Sequence, residues 1–305
     1  HRKFRMEVTA QSTSSTLPVS CAETFSYHKG TVTGVGIDSD GDLISGSKDG
    51  TVKVKSLSDV TAPPKTVREQ IGWEQVLSLY VNGNTVPVGT SDNRVEIWHL
   101  NLDHKWVNWH IGNHNAGVTA IVGLQDDSKV VSGSLDKTAK GWNNASSPTH
   151  MYTVSHHSEV NALAVFRKKN IIASGSEDGI RFWLALSGTS VSPGSLNDGP
   201  VSALAVFPDE QKLVSGSAKT ISIWDLGSSN SPLYTFEVTS AVHALTVFPD
   251  GTFASGHENG EVRIWDASLS GSSYPLEGKV HQGCVRALAV GPDYTLLSGS
   301  DDTTI

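Results

Sequence analysis

An all-β fold, a ring of seven four-stranded antiparallel blades (a β-propeller), is what this 305-residue sequence predicts, and three observations carry it. The stretch Ser132 to Trp142 (SGSLDKTAKGW) recurs, with related stretches beginning at Ser45, Val88, Ser174, Ser215, Ser255 and Ser298. The glycines marking these copies, Gly46, Gly89, Gly133, Gly175, Gly216, Gly256 and Gly299, lie 43, 44, 42, 41, 40 and 43 residues apart, the period of a propeller blade. Apolar runs such as Val160 to Phe166 (VNALAVF) and Val201 to Phe207 (VSALAVF) precede the copies, as expected of strands covered on both faces by neighbouring blades. Seven copies of one unit argue for a single domain over residues 1–305, although length alone would allow two.

The elements follow in order. Arg2, Lys3 and Arg5 make a basic start, Phe4, Met6 and Val8 alternate as in a strand, and Gln11 to Thr16 is a Ser/Thr-rich tether, so residues 1–27 read as a closure segment. The first blade begins near Val32, because His28-Lys29-Gly30-Thr31-Val32 has the layout of His114 to Val118. Each unit then runs through an apolar strand, a turn, a second strand ending in Ser-Gly-Ser, a tight turn, a third strand ending in Trp, and a variable outer strand. Asp40-Gly41, Pro208-Asp209 and Pro249-Asp250-Gly251 are reversal signals between the first two strands. The glycine of Ser-Gly-Ser allows close approach of adjacent sheets, since a side chain there would collide with the next blade. The seventh unit stops at Ile305 in its third strand, so the chain ends should meet, with Val19 to Tyr27 as outer strand and Phe4 to Val8 standing in for the third.

Composition narrows the function classes. A net charge of -8 disfavours sequence-independent attraction to nucleic acid or an anionic membrane and suits a basic partner. Only Cys21 and Cys284 are present, without a disulfide framework or a CxxC metal signature, which points to an intracellular compartment, cytoplasmic or nuclear. No apolar run approaches the ~20 residues that span a bilayer, and residues 1–20 lack a signal-peptide core. The missing initiator Met and the end in mid-strand suggest a trimmed chain.

With these motifs in hand, the sequence resembles the WD-repeat β-propeller family over essentially its whole length. The resemblance implies a hydrogen-bonded fastener in each blade: a His before the inner strand, a Ser on the second strand, an Asp in the next turn and a Trp on the third strand. The third unit matches at His114, Ser132, Asp136 and Trp142, and the fourth at His156, Ser174, Asp178 and Trp183. The first keeps His28, Ser45 and Asp49 but has Lys55 for Trp; the seventh keeps His281, Ser298 and Asp302. The second has Gly72 and Val88 for His and Ser, the fifth Asn197 for His and no turn Asp, and the sixth Val238 and Asn259 for His and Asp. Blades 2, 5 and 6 are therefore expected to be less tightly pinned.

Catalytic motifs fare poorly. Ser45-Gly46-Ser47-Lys48 fits Ser-x-x-Lys but sits at a strand-to-turn repeat, no copy reads Gly-x-Ser-x-Gly, and no phosphate loop occurs. Gly34-Val35-Gly36 has no following helix to make a dinucleotide site. His156-His157-x-Glu159 fails as a metal cluster because adjacent residues of an extended segment point to opposite sides. Asp103, His104 and His110 are more open as metal or proton-transfer candidates, with solvated loop groups the favoured reading. No catalytic residue, metal or cofactor is expected.

Binding is better supported. The resemblance implies a docking face formed by the loops entering the inner strands and the turns after the second strands. Carried over by position, that face includes Lys29, Thr31 and Lys48, then Trp73 and Gln75, then Asn115 and Leu135, with His157, Glu159 and Glu177, Asp198, Glu258, and Gln282 and Asp301 completing the circuit. Glu159, Glu177, Asp198, Glu258 and Asp301 form an acidic arc suited to a Lys- or Arg-bearing segment. Trp106 and Trp109 differ in parity on one outer strand, so they cannot both face the same neighbouring blade, and an exposed Trp is an interaction anchor. The expected function is a non-catalytic interaction scaffold or adaptor. A ubiquitin-binding adaptor is an alternative, suggested by Gly133 to Lys140 and Ser91 to Asn93; a propeller-based carbohydrate binder or enzyme is one from another class.

Overall fold

The computed structural model describes residues 23–69, 72–100, 105–124, 128–144, 148–196, 199–227, 231–267, 273–275, 280–291 and 293–305, with backbone alone at 192–195 and 273–275. The described residues form antiparallel sheets in chain order. Blade 1 holds β1–β4 (Val32–Ile37, Leu43–Ser47, Val52–Lys55, Lys65–Arg68) and blade 2 β5–β8 (Val76–Leu79, Thr85–Thr90, Arg94–Leu100, Trp106–Asn113). Blade 3 holds β9–β12 (Val118–Gly123, Lys129–Ser134, Thr138–Asn143, Thr149–Ser155) and blade 4 β13–β16 (Val160–Phe166, Ile171–Ser176, Gly179–Leu184, Ser190–Leu196). Blade 5 holds β17–β20 (Ala203–Val206, Lys212–Gly216, Thr220–Asp225, Tyr234–Glu237) and blade 6 β21–β24 (Val242–Val247, Thr252–His257, Val262–Asp266, Ser273–Pro275). The seventh repeat carries only β25 (Val285–Val290) and β26 (Leu296–Ser300).

The expectation of seven four-stranded blades is thus corrected: among the described residues six sheets have four strands and one has two. Beyond β26, Ile305 pairs with Phe25. Phe25 N–H donates to Ile305 O at 2.9 Å, and Ile305 N–H donates to Phe25 O at 3.1 Å. Phe25 and Tyr27 pack with Val32, Leu43, Leu297 and Ile305, so residues 25–27 lie between blade 1 and the seventh repeat. Residues 4–8 and 19–22, the other parts of the expected closure, lie outside the described residues.

The core lies between blades. Phe166 and Phe182 of blade 4 share one cluster with Leu204, Leu213 and Trp224 of blade 5, and blade 1 shares another with the seventh repeat. The marker glycines set this spacing. A Cβ on Gly133 would come within 2.5 Å of Val160 in the next blade, and one on Gly299 within 2.6 Å of Val32 in the first. Gly46, Gly89, Gly175, Gly216 and Gly256 meet Val76, Val118, Val201, Val242 and Val285 in the same way. Each of these valines is essentially fully buried, a contribution of roughly 1.5–3 kcal/mol apiece.

A second link follows the inner strands. Thr33 Oγ1 donates to Val76 O (2.9 Å), Ser78 Oγ to Val118 O (3.0 Å) and Asn161 Nδ2 to Val201 O (3.3 Å). Thr119 and Ser202 make the same contact to Val160 O and Val242 O. At five of the seven glycine–valine contacts, from blade 1 through blade 6, neighbouring blades are therefore also joined by a polar contact.

Candidate interaction face

The repeated polar residues are fasteners. In blade 3 the Trp142 indole N–H donates to Ser132 Oγ at 2.7 Å, Ser132 Oγ lies 2.8 Å from His114 Nε2, and His114 Nδ1 lies 2.9 Å from Asp136. Asp136 also accepts from the Asn115 amide, the Thr138 amide and the Thr138 hydroxyl. A relay running from indole to hydroxyl to imidazole to carboxylate satisfies every donor. Burial pulls His114 below its ordinary value despite the charge of Asp136. Burial raises Asp136, but the Asn115 amide, the Thr138 hydroxyl and His114 outweigh it and hold the carboxyl low.

Blade 1 repeats the set, with His28 2.8 Å from Ser45 and 3.0 Å from Asp49. Where Trp is missing, Tyr27 OH lies 3.2 Å from Ser45 Oγ, and the buried Lys55 ammonium donates to Asp59 O and Ala62 O. In the seventh repeat His281 bridges Ser298 (2.8 Å) and Asp302 (3.1 Å). Asp302 is held down to about 2: burial opposes this, while the Thr304 hydroxyl and the Gln282 and Thr304 amides prevail.

Blade 4 contradicts the sequence reading. His156 lies 3.2 Å from Ser174, and the Trp183 indole donates to Ser174 at 3.1 Å, but Asp178 does not reach His156. The cause is a turn one residue shorter. Ser176 pairs directly with Gly179, leaving a two-residue turn, whereas Leu135-Asp136-Lys137 has three residues with Lys137 at φ 66°. Asp178 turns instead to Ser158 and to Arg181, 3.2 Å away.

Blades 2 and 6 are pinned by residues that the repeat pattern does not mark. In blade 6 His257, the third residue of Ser-Gly-His, places Nε2 2.8 Å from Ser255 Oγ and Nδ1 3.0 Å from Ser240 O, while Trp265 donates to Ser255 at 2.7 Å. Blade 2 is held from blade 1: the buried Arg68 at the end of β4 reaches Glu96 (3.0 Å), Glu74 (2.8 Å) and Gly50 O (2.6 Å), and Trp98 donates to Glu96 at 3.1 Å. Burial pulls the Arg68 guanidinium down, but Glu96 and Glu74 outweigh it and raise it above its ordinary value. The expectation that these two blades are loosely held is corrected. In blade 5 Trp224 donates to Ser215 at 2.9 Å, and Asn197 lies outside the described residues.

With the fasteners inside, the variable residues are left on one face. The amides of Lys48, Ser91, Leu135, Glu258 and Asp301 donate to Thr31, Gln75, Gly117, Ala241 and Cys284 carbonyls at 2.8–3.0 Å, and the Glu177 amide donates to Ser158 Oγ at 3.1 Å. Each turn thus sits over the loop entering its own inner strand. Lys29, Lys48, Asn115, His157, Glu159, Glu177, Glu258 and Gln282 are exposed there, Thr31 and Gln75 are half-buried, and Trp73 and Leu135 are 95% and 38% exposed. Asp301 departs from the acidic arc, since Arg286 grips it at 2.8 and 3.1 Å. Asp198 lies outside the described residues, as do Asp103 and His104.

Trp106 and Trp109 lie elsewhere. On β8, Trp106 pairs opposite Leu100, at the end remote from Arg94 and the face. It packs half-buried against the Val52–Val86 cluster, while Trp109 is 45% exposed and stacks beside His99 at 6.5 Å. His110 is exposed on the same strand. Ser45 of the Ser-x-x-Lys match is buried in its fastener. Burial pushes the Cys284 thiol up to about 11. Among the described residues no group of three or more His, Cys, Asp or Glu could hold a metal ion.

The family model described as "WD domain, G-beta repeat" matches residues 19–54, 107–143, 148–183, 189–225, 230–266 and 275–305. The chain belongs to the WD-repeat family. The span left unmatched, 55–106, contains Arg68 and the first three strands of the blade it holds in place of a His–Ser fastener. WD-repeat propellers serve in general as non-enzymatic protein-interaction scaffolds. No curated protein matches the chain in sequence. Among solved structures, the crystal structure of the WD40 beta propeller domain of Doa1 is similar at TM-score 0.76, with 22% identity, over 93% of this chain and 94% of that one. At that identity the likeness shows the fold.

Proposed function

We propose that this WD-repeat chain is a non-catalytic adaptor: one domain closed as seven blades, the last completed through Phe25, that takes a basic protein segment on the face around Glu159, Glu177 and Glu258. One observation carries the reading. These three carboxylates are exposed on the face, and no described ion pair neutralises them, whereas Asp301 and Asp178 are engaged by Arg286 and Arg181. The net charge of -8 favours the same partner through long-range steering. Lys48 and Arg286 beside Asp301 mark where the acidic sector ends.

The test is the triple charge reversal E159K/E177K/E258K, measured against an array of Lys- and Arg-bearing peptides. The reading expects folded protein with at least a tenfold loss of peptide affinity, about 1.4 kcal/mol. Unchanged affinity, or no basic peptide bound by the starting protein, rejects it. Ubiquitin and a glycan array run alongside separate the two alternatives: capture of either one, unaffected by charge reversal, favours that class.

A further inference from the structure

His156 is 7% exposed, and its Nδ1 has no hydrogen-bond partner. The same nitrogen of His28, His114 and His281 lies 3.0, 2.9 and 3.1 Å from Asp49, Asp136 and Asp302. Whichever tautomer Ser174 selects, a neutral His156 ring leaves one buried nitrogen unanswered; a protonated ring carries an N–H there that demands an acceptor. The titratable and charged side chains acting on it are Asp178 and Arg181 of its own blade and the adjacent His157; from blade 3, the Lys137 carbonyl accepts the His156 amide at 2.8 Å. Arg181 spans Asp178 (3.2 Å), His157 Nδ1 (2.7 Å) and Ser155 O (3.0 Å). Burial and the Arg181 charge hold His156 down to about 4. The Ser158 hydroxyl, with the Arg181 charge, outweighs burial and keeps Asp178 below the usual carboxylate range.

We propose that His156 and Asp178 form a proton-operated switch on the interaction face: the imidazolium draws Asp178 off Ser158 and Arg181 onto Nδ1, rebuilding the fastener of blades 1 and 3. The move breaks the Arg181–Asp178 ion pair, releases the Ser158 hydroxyl from the carboxylate, and carries Glu177, the other residue of the two-residue turn, with it. Acid therefore withdraws a carboxylate from the surface next to Glu177 and leaves the Arg181 cation without it. Only the consequence for a basic partner rests on the adaptor reading; the titration and the turn movement stand without it.

The experiment is an NMR titration of the full chain from pH 7.5 to 3.5, following the His156 ring proton and the amides of Ser158, Glu177 and Asp178. One shared midpoint is expected for ring and amides, above the about 4 set by the neutral arrangement and below the ~6.5 of a free His. Asp178→Asn should lower the ring midpoint and uncouple the turn amides. Ser158→Ala should raise it by releasing Asp178, and it carries the test if the Asn variant fails to fold. Turn amides that stay still while His156 titrates, or that move equally in Asp178→Asn, overturn the switch, as does a ring that stays neutral down to acid unfolding.

Discussion

Arg68→Met is the sharpest probe of how blade 2 is held. Arg68 is 1% exposed and Glu96 5%, and the guanidinium is the cation beside that carboxylate at 3.0 Å. Removing it leaves Glu96 buried with the Trp98 indole at 3.1 Å and empties a donor from Gly50 O. Breaking one side of a buried pair costs about 3–5 kcal/mol, largely from the stranded charge. Changing Glu96 to Gln as well removes that charge and keeps an acceptor for Trp98, so the double variant should recover about half or more of the loss. The assay is a double-mutant cycle in urea, with tryptophan fluorescence and circular dichroism followed together. A loss under about 1 kcal/mol for Arg68→Met, or additive single effects, would refute the claim that this pair replaces the His–Ser fastener.

Three further outcomes follow from the fasteners. Replacing His257 by Ser, the residue other repeats carry there, should destabilise by about 1–3 kcal/mol in thermal or urea unfolding, because Ser255 loses its imidazole. Gly133→Ala should cost about 1–3 kcal/mol by overpacking against Val160, whereas a loss-free Ala would show that the blades can separate cheaply. The depressed carboxyl of Asp302 contributes stability that is present above about 4 and is lost as pH falls towards about 2; Asp302→Asn should flatten that part of an acid-unfolding curve.

The period of the marker glycines was legible because each one meets the next blade's valine, a requirement repeated at every interface. Fasteners in blades 1 and 3 were legible for the same reason: each Asp answers an imidazole and an amide in one geometry. Blade 4 was misread because one missing residue between Gly175 and Trp183 changes the turn while leaving every residue type in place. The signals for His257 and Arg68 were present but unlike the repeat. Ser-Gly-His lies two residues from the serine it serves, and Arg68 reaches Glu96 from the outer strand of a different blade. The acidic arc was legible as charges but not as pairs, since Arg286 and Arg181 stand at strand positions where the repeats carry different residue types.

The central claim is a division of labour: repeated residues hold the blades, and variable turn residues meet the partner. Its most direct measurement pairs melting temperature with affinity for one basic peptide in two variants, Glu177→Lys/Glu258→Lys and His257→Ser. The account predicts that the charge reversals lose at least tenfold in affinity at an unchanged melting temperature, while His257→Ser lowers the melting temperature and binds the peptide as before when folded. The reverse pattern, or both properties moving together in both variants, would contradict it.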